Sequence, residues 1–297
     1  MSKEWMKGIL GVTLALGVCG LAAADAQPAP PAPAEDQGPD VNWVQGPASG
    51  ELGSVATVTV PEKYIFAGPD DTKKLMEAMH NPTSGTEMGL IAPMEGSWFI
   101  VFEYDDSGHV ADDEKGDLDA DAILKTLRES QKEGNKERAK RGWNTLEISG
   151  WMQPPHYDPE THNLEWGTRL KSSSGSGNVN YNSRLLGRTG VMSATFVGDE
   201  EEITQAMGVF KTILKGHSFV PGQKYAEFRK GDKIAEYGLT ALITGGAAAV
   251  ALKTGLLQKF WKLIVLAVAG GAAGIRKLFG KLRNETTVTP ESGPTTT

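Results

Sequence analysis

Cysteine is all but missing from this 297-residue chain, with Cys19 its single instance. One thiol cannot close a disulfide within the chain, so stability has to come from burial. Also missing are the short motifs that announce common enzymes. There is no nucleophile elbow, no phosphate-cradling glycine loop, no zinc-protease helix and no kinase motif set. No internal repeat appears. These absences weigh against an enzyme and leave the question open.

What is present stands at the two ends. Lys3 and Lys7 precede an apolar run, Gly8 to Leu21, closed by Ala22-Ala23-Ala24, with Ala24-Asp25-Ala26 as a competing cleavage site. The run falls short of the roughly 20 residues a spanning helix needs, so residues 1–24 read as a bacterial secretory signal. Cys19 closes a near lipid-attachment box, but Val18 is too bulky for the position before a modified cysteine. Near the other end, Tyr237–Leu252 and Leu263–Ile275 are apolar segments that reach a spanning length if flanking lysines extend to the interface. Lys253, Lys259 and Lys262 mark the join, and Phe260 and Trp261 fit an interfacial belt. The expectation is a membrane anchor over 237–280, either a helical hairpin or one crossing by the second segment. One crossing places Arg276, Lys277, Lys281 and Arg283 inside, as the positive-inside rule prefers. Residues 281–297 are a polar tail.

Charge follows the same partition. Residues 1–24 carry one net positive charge and 238–297 carry five, so with a formal total of −7 the stretch between them carries −13. An acidic domain beside a basic tail argues against nucleic acid and for anionic lipid headgroups. The expected place of work is the bacterial inner membrane, with the main domain on its outer, periplasmic side.

Between the ends, residues 25–50 are an Ala/Pro-rich linker and 51–236 an exported domain. Val55 to Val60 alternates as a strand, and Lys63 to Ala67 is expected to pair with it. Asp70 or Asp71 caps a helix over 72–79. Gly96 to Tyr104 is the strongest strand, turning at Asp105–Gly108 into a return strand at His109–Ala111. A long helix spans 117–140. Strands follow at 146–151 and 163–170 around a loop at Gln153–His162, and again at 178–186 and 190–197. Asp199 and Glu202 form a capping box for the last helix, with Ile203, Met207, Phe210 and Leu214 as its buried stripe. Strand-rich runs with three helices and hairpin-length connections predict an α+β fold: an antiparallel sheet flanked by helices, plus a C-terminal transmembrane helix or hairpin.

Candidate site residues are few. His156, Asp158 and His162 sit within seven residues and suit zinc ligation or acid/base work, although their spacing matches no metal motif. Arg184 and Arg188 are expected on one strand face, pairing internal carboxylates or reading an anion. Glu103 to Glu114 overlays a calcium loop, but Glu stands where Asp is needed and a strand precedes it, so a β-turn explains the pattern. Acids from Asp112 to Asp121 favour the start of a helix. No residue is assigned as catalytic or metal-ligating, and no cofactor is expected.

Gly150-Trp-Met-Gln-Pro-Pro-His-Tyr-Asp158, Asn180-Tyr-Asn-Ser-Arg-Leu-Leu-Gly-Arg-Thr-Gly-Val191, Tyr225-Ala-Glu-Phe and Ala235-Glu-Tyr-Gly-Leu239 occur in that order. In these the chain resembles a bacterial membrane-anchored family grouped as a domain of unknown function. The resemblance implies an exported α+β domain on a membrane anchor and carries no activity. The closing strand–helix–Ser218-Phe219 order is similar to the sandwich of small photosystem-accessory and nuclear-import-factor-binding proteins, which bears on fold class only. The expected function is a non-catalytic binding or scaffold module of the envelope, with the lipid bilayer and an envelope protein as partners. The alternative is a metal-dependent or hydrolytic enzyme using His156, Asp158 and His162.

Overall fold

The computed structural model describes residues 38–95 and 98–245. The expected signal and most of the expected anchor and tail lie outside the described residues. In chain order the first elements are β1 (Trp43–Gln45), β2 (Ala48–Leu52), β3 (Ala56–Val60), β4 (Tyr64–Ala67), α1 (Pro69–Ala78), β5 (Glu87–Pro93) and β6 (Phe99–Asp105). Then come α2 (Ala120–Lys140), β7 (Leu146–Asp158), β8 (Asn163–Ser172), β9 (Gly177–Leu186) and β10 (Val191–Gly198). The chain continues through α3 (Glu200–Lys215), β11 (His217–Phe219), a short 3-10 turn at Tyr225–Glu227, and α4 (Leu239–Thr244).

Eight strands form one antiparallel sheet in the order β1-β4-β5-β6-β10-β9-β8-β7, and β11-β3-β2 form a smaller one. The large sheet is covered on both faces. On one side α3 and the small sheet enclose a single apolar cluster, with Phe102, Phe196 and Phe210 at its centre. On the other side α1 packs on the β4–β6 end, while α2 and α4 pack on the β7–β9 end. The architecture is α+β, an antiparallel sheet flanked by helices.

Local chemistry explains most boundaries. Asp119 caps α2 by accepting from Asp121 N at 3.1 Å and Ala122 N at 3.0 Å. The capping box of α3 is present, with Glu202 N donating to Asp199 and the Glu202 side chain accepting from Asp199 N. Helix α1 starts earlier than expected, with Gly68 at the N-cap and Pro69 in the first turn, where a missing N–H costs nothing. Asp71 is not its cap; it accepts from the backbone and side chain of Asn42 and pins the segment before β1.

Several expected pairings differ. β4 pairs with β1 and β5, while β3 pairs with β2 and β11. No return strand follows β6; His109 makes an isolated bridge to Ile234, and the partners of β6 are β5 and β10. The stretch expected as a loop at Gln153–His162 is strand as far as Asp158. Pro154 and Pro155 fit because β7 is the sheet edge and shifts register between Gln153 and His156, so no ladder bond depends on their nitrogens.

Strand β1 and the first three residues of β2 fall in the stretch read as linker. Residues 239–244, read as the start of the anchor, form α4, whose Leu239, Leu242 and Ile243 are buried with Ile123 and Leu127 of α2. Glu114 accepts from Thr240 N at the start of α4. Among the described residues no helix is long and apolar enough to cross a membrane.

Candidate functional site

A cleft of about 440 Å³ opens between the β7–β8 turn, the end of α3, β11 and the Tyr225 turn. Asp158, His162, Glu165, Lys211, His217 and Tyr225 are among its lining residues. Glu165 is buried on β8 and accepts from Tyr181 Oη at 2.9 Å and from Lys211 Nζ. His156 Nε2 lies 3.8 Å from the same carboxylate. Burial, and then the Glu165 charge, push the Tyr181 phenol well above its ordinary range, so it is a fixed donor here. His217 Nε2 is buried with no hydrogen-bond partner among the described residues, and burial pushes its imidazole down to about 4. It is neutral at pH 7.

His162 closes the β7–β8 turn at φ 54°, a left-handed conformation that few residues other than glycine adopt. Its Nδ1 stands 3.1 Å from Tyr157 Oη, which donates to Asp112 at 3.2 Å. A phenol has one proton, so His162 serves as donor from Nδ1. Burial, reinforced by Asp112, raises the Tyr157 phenol far above its usual value. The Tyr225 ring lies 4.5 Å from His162 and 4.4 Å from His109, and Phe228 covers the other side of His109 at 4.2 Å. Burial, and then Asp112 and Asp113, push the Tyr225 phenol up to about 12. Tyr225 Oη donates to Val110 O at 3.1 Å. Segments far apart in sequence, at 109–112, 157–162 and 225–228, are thus knitted together at one end of the sheet.

The candidate residues do not form one constellation. Asp158 and His162 share the cleft, but Asp158 is spent on its own turn, accepting from Glu160 N at 2.9 Å and Thr161 Oγ1 at 2.8 Å. Those bonds, Thr161 first, hold its carboxyl below the usual range. His156 stands beside Glu165.

Arg184 lies on the opposite face of the sheet, its guanidinium 4.7 Å above the Trp166 ring. Burial lowers it to about 10, against the attraction of Glu103, and raises Glu103. Arg188, expected on the same strand face, sits instead in the tight β9–β10 turn, where a Cβ on Gly190 would run into the Asp105 carbonyl. Its two nitrogens grip Asp232 at 2.7 Å each, and this pairing takes the Asp232 carboxyl down to about 2. Among the described residues no three of His, Cys, Asp and Glu are placed to hold a metal ion.

Glu165, Lys211 and His217 are the residues the sequence reading missed. Glu165 alternates with Leu164 and Trp166 as an outward-facing residue would. Only the presence of α3 over that face makes it buried, and nothing local in the sequence reports that.

A second, larger groove of about 810 Å³ runs between α2 and the end of the β7–β8 pair, past Arg128, Gln131, Lys171 and Ser173. Arg128 is occupied there by the carbonyls of Ile148 and Ser149.

Among solved structures, the chain is similar to the solution structure of cyanobacterial PsbP (CyanoP) from Synechocystis sp. PCC 6803. The match has 9% identity and a TM-score of 0.35, and covers 60% of this chain and 92% of that one. No curated protein matches the chain. A family model matches residues 44–275, most of the chain, so this protein belongs to the family described as Protein of unknown function (DUF2167).

Proposed function

We propose that this chain is a non-catalytic binding module tethered to the outer side of a bacterial inner membrane. The observation that carries the reading is the internal use of Asp158, His162, Arg188 and Glu165. Asp158 ties a turn, His162 meets Tyr157, Arg188 grips Asp232, and Glu165 is taken by Tyr181 and Lys211. A catalytic acid or base needs a free position toward a substrate proton, and these groups are engaged by their own fold. The tether reading is supported by the charge partition and by the apolar run 263–275 with its four following cations. With α4 packed in the domain, one crossing by that run is the simpler arrangement.

The test is photocrosslinking in intact cells with the full chain. A photoreactive residue replaces Lys215 or Lys224 at the cleft, and Lys136 on α2 serves as control. An adduct of one size from the cleft positions and none from Lys136 is expected. Absence of a cleft-specific adduct overturns the binding reading, and turnover lost in His156→Ala/Asp158→Ala would install an enzyme in its place. Protease added to spheroplasts should digest the domain; its survival intact would remove the outward location.

A further inference from the structure

The turn after Glu227 joins exposed large apolar side chains to exposed cations, a combination not repeated among the described residues. Phe228, Arg229, Lys230, Gly231, Lys233 and Ile234 are all exposed. Phe228 at 39% and Ile234 at 60% are two of the three large apolar side chains left exposed among the described residues. Three cations fall within five positions of a stretch whose net charge is −13; the equally basic end of α2, Lys136 to Arg141, carries no exposed large apolar side chain. The one acid among them, Asp232, is consumed: it holds Arg188 through both oxygens and accepts from Arg229 N at 2.7 Å.

The turn is also built to hold its shape. His109 N donates to Lys233 O and Ala235 N to His109 O, each at 2.8 Å. The His109 ring backs Phe228 at 4.2 Å, and Lys233 Nζ reaches Asp106 O at 2.9 Å. The same strand of chain then leads through α4 toward the apolar run at 263–275.

We propose that this turn is a docking tip that seats the domain on an anionic bilayer surface, with Phe228 and Ile234 at the acyl boundary and Arg229, Lys230 and Lys233 among the headgroups. The proposal rests on the membrane-tether reading. Large apolar side chains flanked by long basic ones suit the interface, where the apolar part enters and the charge stays wet. A protein partner fits less well: two apolar side chains are far less than the roughly 1,200 Å² a stable protein interface buries. Each basic residue near an anionic surface is worth about fivefold in partitioning.

The experiment uses the full chain. Because Cys19 is the only cysteine, Cys19→Ser/Ile234→Cys carries one fluorescent label, and Cys19→Ser/Glu133→Cys on α2 carries the control. The proteins are floated with phosphatidylcholine vesicles, with or without phosphatidylglycerol, containing lipids that bear a nitroxide just below the headgroup. Strong quenching at position 234 in anionic vesicles, weak quenching at 133, and loss of the difference in Arg229→Glu/Lys230→Glu/Lys233→Glu is the expected result. Flotation with equal quenching at both positions overturns the docking tip and leaves the tether standing. Flotation only with phosphatidylglycerol, released by salt, with position 234 quenched, keeps the tip and removes the tether. Absence of flotation with either vesicle overturns both.

Discussion

Thr195 and Phe196 are neighbours on β10 that point to opposite faces of the large sheet, and both are buried. Around Phe196 the nearest rings are Trp98 at 4.7 Å and Phe210 at 5.3 Å, with the small sheet beyond. Around Thr195 the neighbours on β9 and β10 are polar, while Val101 faces it from β6. Asn182 faces it, Ser193 and Arg184 form the next row, and Asn180 sits opposite Val197. This polar strip separates the apolar patch under α1 from the one under α2 and α4. One face therefore holds a single apolar core, and the other holds two with polar side chains between them. A continuous apolar layer supplies stability through area removed from water. A buried polar strip supplies little net stability but imposes specific partners, since each unpaired group would be costly.

The largest test of that contrast is Phe196→Ala. It opens a void at the middle of the continuous core and should cost about 3–5 kcal/mol, read from urea unfolding. A loss under about 1 kcal/mol would mean that the α3 face is not the principal core.

The same contrast explains what could be read from the sequence. The capping box at Asp199 and Glu202 and the apolar stripe of α3 depend on neighbours a few residues away; the box appears as expected, and the stripe appears with Ile203, Phe210 and Leu214 buried, Met207 half-buried and Ile213 added. The faces of β8 were legible too: Leu164, Trp166, Thr168 and Leu170 against Glu165 and Arg169. What did not follow was that both faces are covered, so Glu165 reads as solvent-facing and is buried. Strand partners are non-local as well. Nothing in residues 55–67 says that β4 joins the large sheet and β3 the small one. Pro154 and Pro155 mimic a loop because edge status is a property of the whole sheet. The candidate site suffered accordingly: Asp158 and His162 were named, while Glu165, Lys211 and His217 depend on where α3 and β11 dock.

A second test probes the apolar side through a titration. The His217 imidazole is pushed by burial from 6.5 down to about 4. Its unfolded form therefore binds a proton first as pH falls. The stabilisation is fully present above about pH 6.5 and is lost between there and about pH 4, at up to about 1.4 kcal/mol per pH unit. His217→Gln should flatten that limb of the stability curve. Unchanged pH dependence in the variant would show that His217 is solvated, and that the cleft beside Glu165 and Lys211 is wetter than its packing implies.

The smallest expected effect bears on the polar strip itself. Thr195 Oγ1 donates to Asn182 Oδ1 at 3.2 Å, and both residues are buried. Thr195→Val keeps the shape and removes the donor, so it should cost about 1 kcal/mol, set by the acceptor left behind on Asn182. Measured beside Phe196→Ala in the same urea titration, it gives the ratio between the two faces from adjacent positions on one strand. If Thr195→Val costs as much as Phe196→Ala, the strip is a tightly coupled network and the polar face rivals the apolar one. If Thr195→Val is neutral or stabilising, the hydrogen bond contributes nothing net, and the strip's polarity then needs a reason other than stability. That reason would have to lie in how α1 and α2 are spaced across β9 and β10, because the apolar patches on either side would otherwise merge at no cost.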